Sequence, residues 1–150
     1  MVPTKREGGS KLEEPLTEEL LDELMSASSV GDYLEGHRFS ERALSDYLQE
    51  LLADRELVQP TIVHEAQLNP TFGYQVFMGK RGAGRDTVLR IAFAMRLTPR
   101  ETNRALQAAR ANALYPKNRR DAILIYCLEH ETGLMGANAA LYEFGEDLLC

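Results

Sequence analysis

The sequence predicts an all-α protein, a bundle of about five helices extended by a duplicated C-terminal helical hairpin. Three observations predict it. Leu and Ala dominate the 44% of residues that are hydrophobic, Trp is absent and β-branched residues are few, a composition that disfavours a large sheet. From Leu44 onward, apolar side chains recur at the three- and four-residue spacing of one buried helix face. Finally, the pattern over 85–109 returns 35 residues later. A chain of 150 residues suits one compact domain with an appended piece.

Residues 1–15 are polar, with Gly8-Gly9-Ser10 and two prolines, and read as a disordered tail. An acidic N-terminal helical segment follows over 16–38. Thr17 suits an N-cap, Glu18 and Glu19 match the positive end of the helix dipole, and Leu20, Leu21, Leu24 and Met25 form a stripe. Ser26 to Ser29 breaks the pattern, leaving Val30 to Gly36 as at most one more short turn. The main domain is expected over 39–110. Leu44, Tyr47, Leu48, Leu51 and Leu52 mark its first helix. Pro60 fits the first turn of the second, where its missing N–H costs nothing, and Ile62, Val63 and Ala66 are its inner side. Asn69-Pro70 opens the third helix with a capping oxygen and a preset φ, and Gly79 ends it. Arg85-Asp86 opens the fourth, with Val88, Leu89, Ile91, Ala92 and Met95 inside. Thr98-Pro99 opens the fifth, running to Ala109.

The hairpin over 111–150 repeats that last pair. Arg120-Asp121 matches Arg85-Asp86, Ile123-Leu124 matches Val88-Leu89, Asn138 matches Asn103, and Ala140-Leu141 matches Ala105-Leu106. A fixed offset held through two helices is the mark of a duplicated unit that stacks on its neighbour. The copy departs at Gly133-Leu134-Met135-Gly136, which replaces Thr98-Pro99-Arg100-Glu101. The lost cap and added glycines weaken that helix start by about 1–2 kcal/mol.

The net charge of −6 is unevenly spread. Residues 1–79 hold 6 basic and 15 acidic side chains, residues 80–120 hold 11 basic and 2 acidic, and residues 121–150 hold no Lys or Arg and 6 acids. The middle block could neutralise phosphates, or its arginines could pair with the flanking acids. No apolar run reaches the ~18–20 residues that span a bilayer, and the N-terminal residues lack the apolar core of a signal peptide, so no membrane is expected and the cytoplasm is the expected compartment.

Residues 44–96 resemble the phage-repressor (Xre-type) helix-turn-helix family. The features that carry the likeness are Leu48 to Leu52, Gln59 opening a short second helix, and the turn Ala66-Gln67-Leu68-Asn69. They continue with Gly79-Lys80-Arg81 after the third helix and Asp86-Thr87-Val88-Leu89 opening the fourth. The resemblance implies a repressor-like bundle, double-stranded DNA as partner, and a homodimer or another protein partner. It implies that 69–78 enters the major groove with Thr71, Tyr74 and Gln75 reading base edges, and that Gln59, Lys80, Arg81 and Arg85 hold phosphates. Two departures stand out. Gly73 occupies a place usually held by an apolar core residue, at a cost of roughly 1 kcal/mol in a helix. Phe77 stands where the family is polar, so its ring is expected to be exposed or to serve a partner. The reader has no Lys or Arg, which leaves a protein-binding adaptor on a degenerate helix-turn-helix scaffold as the alternative function.

Enzymatic chemistry finds no support. Gly73 to Lys80 has the outline of a phosphate loop, but Arg81 stands where Ser or Thr must hold the metal and no strand precedes it. His37, His64 and His130 are far apart and no His or Cys has ligand spacing, so no catalytic residue, metal or cofactor is expected. Cys127 among Ile123, Leu124 and Leu128 reads as a buried structural thiol.

Overall fold

The structure, a computed structural model, describes residues 17–36 and 43–150. The expected tail over 1–15, and the start of the main domain before Ala43, lie outside the described residues. Among the described residues every regular element is a helix. These are α1 (Thr17–Ser26), α2 (Val30–Glu35), α3 (Leu44–Arg55), α4 (Gln59–Glu65), α5 (Pro70–Phe77), α6 (Arg85–Met95), α7 (Pro99–Ala108), α8 (Arg119–Glu129) and α9 (Gly133–Glu143). α2 exceeds the short turn expected there. Ser29, read as a breaker, caps it by accepting the Asp32 N–H at 3.1 Å.

The starts marked by a capping oxygen and proline form as their chemistry requires. Asn69 Oδ1 accepts from the N–H groups of Thr71 and Phe72 at 2.9 and 3.1 Å. Thr98 Oγ1 accepts from Glu101 N, and Glu101 Oε1 accepts from Thr98 N, closing a capping box. At α9 the expected weakness is visible, because Thr132 gives no side-chain cap and the chain enters through Gly133 at φ +78°.

α3 packs on α5 and α7, α4 on α5 and α6, α6 on α7 and α9, and α8 on α7 and α9. One core threads these contacts, with Tyr47, Leu51, Phe77, Leu89, Leu106, Leu124 and Leu141 all essentially inaccessible. Glu101 ties α7 to α3 by receiving two hydrogen bonds from Arg55 Nη2, at 2.7 and 2.8 Å.

The 35-residue offset recurs in side-chain contacts. Asn103 Oδ1 accepts from Leu114 N, and Asn138 Oδ1 from Leu149 N, both at 2.8 Å. Arg85 donates to the carbonyls of Asn112 and Ala113, and Arg120 to those of Asp147 and Leu148, at matching distances of 2.9 and 3.2 Å. Between the halves the partners are exchanged. Arg85 forks onto Asp121 and Arg120 forks onto Asp86. Reciprocal pairing of this kind is what a local two-fold relation between the duplicated halves gives. The α6–α9 and α8–α7 packings are the corresponding contacts of the two halves.

Candidate nucleic-acid interface

α4 and α5 are joined by four residues and cross at very short range. The crossing depends on Gly73. A Cβ added there would lie 2.4 Å from Val63 Cγ1 and 2.9 Å from Cγ2, so the glycine that looked like a helix defect is what lets the two helices meet. In the turn, Gln67 adopts φ +59°. Arg90 of α6 donates its Nε to the Ala66 carbonyl at 3.0 Å and its Nη2 to the Gln67 carbonyl, satisfying acceptors that α4 leaves open at its end. Gln49 of α3 donates to Gln59 Oε1 and to the Phe77 carbonyl, each at 3.0 Å. One side chain thus fixes the beginning of α4 against the end of α5.

This crossing decides which side of α5 faces out. Gly73, Val76 and Phe77 point inward, and Phe77 is fully buried. That corrects the expectation of an exposed ring: Phe77 follows Val76 on the side of α5 that meets α3, where it joins the core. Thr71 is exposed, Tyr74 is 49% exposed and Gln75 is half-buried. Gly79 (φ +79°) turns the chain, and the N–H groups of Lys80 and Arg81 both bond back to the Gln75 carbonyl. That return sets both cations beside the outer face. Lys80 Nζ lies 5.8 Å from the Tyr74 ring centroid, and the Arg81 guanidinium lies 5.5 Å from that of Phe72. Arg81 Nη1 also meets Gln75 Oε1 at 3.5 Å.

Five of the seven sequence-derived positions, Thr71, Tyr74, Gln75, Lys80 and Arg81, therefore share one surface. Gln59 is half-buried and its Oε1 is engaged by Gln49. Arg85 departs from expectation. Its guanidinium is spent on Asp121, which is 5% exposed, and on the Asn112 and Ala113 carbonyls, so it braces the two halves.

Four more arginines of the basic block follow Arg85. Arg90, Arg96, Arg119 and Arg120 likewise donate to backbone carbonyls, of Gln67, Glu131, Phe144 and Leu148 among others. Arg119 and Arg120 also pair with Glu146 and Asp86. Five of the eleven basic residues of 80–120 thus hold helix ends and loops. The roles of Gln49 and Arg90 were not read from the sequence, where nothing marks a Gln on α3 or an Arg on α6 as a tie to the turn.

Beside Tyr74 an open cleft of about 780 Å³ runs between α4 and α5. Pro60, Val63, Leu68, Pro70 and Tyr74 make it apolar, with Gln59, His64 and Gln67 at its rim and no acidic residue in its lining. Among the described residues no group of His, Cys, Asp or Glu is placed to hold a metal ion, and no helix is long and apolar enough to cross a membrane. Burial raises the Cys127 thiol pKa, and a hydrogen bond with Thr132 partly offsets the rise. Comparison with protein-family models, with curated proteins and with solved structures finds no match for this chain.

Proposed function

We propose that this chain is a DNA-binding transcriptional regulator that lays the outer face of α5 in the major groove. The observation that carries the reading is the exposure of Thr71 and Tyr74 beside the half-buried Gln75, with Lys80 and Arg81 at the same edge. A helix projected from a neighbour by a short turn suits groove insertion. Gln75 has the donor and acceptor for an adenine edge, and the Thr71 methyl suits a thymine methyl. Phosphate contact falls to Lys80 and Arg81. With about two phosphates neutralised per copy, log K falls against log salt with a slope near −2.

The test is a titration of the full chain against duplex DNA over a series of salt concentrations. Lys80→Ala is expected to weaken every duplex alike, whereas Gln75→Ala changes which duplex is preferred. Absence of binding to every duplex, including the protein's own upstream region, removes the reading. A second reading, an adaptor that binds protein, draws on the apolar cleft, since exposed aromatic and apolar surface beside cations is the composition of an interface centre. Phe77 no longer contributes to it; Tyr74 does.

A further inference from the structure

The cleft has a counterpart elsewhere on the same chain. α1 carries Leu21, Leu24 and Met25 at positions i, i+3 and i+4, one face of a helix. Their side chains are 55%, 39% and 77% exposed. Residues 17–36 contain six acids, Glu18, Glu19, Asp22, Glu23, Asp32 and Glu35, and no Lys or Arg. An amphipathic acidic helix with its apolar stripe turned to solvent calls for an apolar groove with cations nearby. The α4–α5 cleft is such a groove, apolar within, free of acids in its lining, and flanked by Lys80 over Tyr74.

We infer that this cleft receives α1 of a second copy of the chain. A chain's own α1 is held elsewhere. Glu19 lies 3.9 Å from Arg100 on α7, and α7 packs on α3, α6 and α8 whereas α5 packs on α3 and α4. Beside that contact the Leu21–Leu24–Met25 stripe stays exposed on α1, open to serve as a docking element for another copy. Exchange is reciprocal, so each copy gives one arm and receives one, the closed two-fold arrangement that most soluble oligomers adopt. One ten-residue arm is small beside the roughly 1,200 Å² that a specific interface buries, and two arms double the area. The docked arm lies against Tyr74. If DNA binds there as proposed above, arm and DNA exclude one another, a corollary that rests on that proposal while the pairing itself does not.

The first experiment is sedimentation velocity of the full chain, without DNA, over a wide concentration range. The expected result is a concentration-dependent dimer that weakens as salt rises. Leu21→Asp with Met25→Asp, two exposed positions whose replacement leaves the core untouched, is expected to raise the dimer dissociation constant about thirty-fold, as for an interface centre. A second experiment locates the arm. Cys150 is exposed with its Sγ 3.7 Å from Gln67 Oε1 at the cleft rim. A chain carrying Met25→Cys and Cys150→Ser, mixed with the wild-type chain under oxidised glutathione, is expected to give a disulfide between position 25 and the wild-type Cys150, identified by peptide mapping. A chain that stays monomeric throughout overturns the inference. So does a dimer indifferent to the two aspartates, or a dimer in which position 25 forms no disulfide with the wild-type chain's Cys150.

Discussion

Replacing Gly73 by alanine sets two effects of opposite sign against each other. Helix propensity alone favours the change, since Ala in a helix interior is better than Gly by about 1 kcal/mol. Packing opposes it. The new methyl would sit 2.4 and 2.9 Å from the two Val63 methyls, where carbon atoms prefer about 3.5–4.0 Å. Val63 is 5% exposed and cannot swing clear, so α4 and α5 must part by roughly 1 Å. Overpacking of this kind costs about 1–3 kcal/mol after relaxation, and a backbone crossing lies at the upper end. We therefore expect a net loss of about 1–2 kcal/mol, a fall in Tm of several degrees, measured by urea unfolding followed by far-UV circular dichroism. The mechanism is isolated by repeating the change on Val63→Ala. With those methyls gone, Gly73→Ala is expected to be neutral or stabilising, a coupling of about 2 kcal/mol between the sites. A Gly73→Ala chain more stable than wild type, or one equally harmed in both backgrounds, refutes the close-crossing argument.

Three further outcomes follow from the same contacts. Arg85→Ala strands Asp121, whose side chain is 7% exposed, whereas Arg120→Ala leaves Asp86, at 47%, open to water; calorimetry is expected to show a loss of about 3–5 kcal/mol for the first and about 1 kcal/mol for the second. The thiols are expected to separate under Ellman's reagent, Cys150 reacting at once and the buried Cys127 only as the chain unfolds. Because the Cys127 pKa is raised in the folded state, its contribution to stability is complete below the unfolded thiol's pKa. That contribution is lost as pH rises through the folded value, a decline that Cys127→Ala is expected to remove.

Helix starts were legible wherever chemistry is local. Asn69-Pro70 and Thr98-Pro99 announce a cap and a first turn, and both are where the sequence placed them. Some helix ends were harder, because Glu56, Arg96 and Glu131 take the left-handed conformation at φ 55°, 60° and 54° without a glycine to mark it. Inner and outer sides of α5 were misassigned at Phe77, since a short helix with apolar residues at Phe72, Val76, Phe77 and Met78 has no single stripe. Gly73 was legible as an oddity but not as a contact, for its partner Val63 lies across the turn. Counting charges by segment found the basic block but not its use. A guanidinium on a long stem can reach a carbonyl two turns or two helices away, and only a three-dimensional arrangement says which. One clue was present in the repeat itself, where Arg85-Asp86 and Arg120-Asp121 place a cation and an acid in both halves, complementary to one another if the halves face.

The account turns on whether the edge formed by Thr71, Tyr74, Gln75, Lys80 and Arg81 holds a duplex. Fluorescence anisotropy of a labelled fragment from the protein's own upstream region, titrated with the full chain at several ionic strengths, measures this directly. Saturable binding is expected, with a salt slope that falls by about one on Lys80→Ala. Flat anisotropy at the lowest salt, or binding that survives substitution of Lys80, Arg81 and Gln75 together, contradicts it.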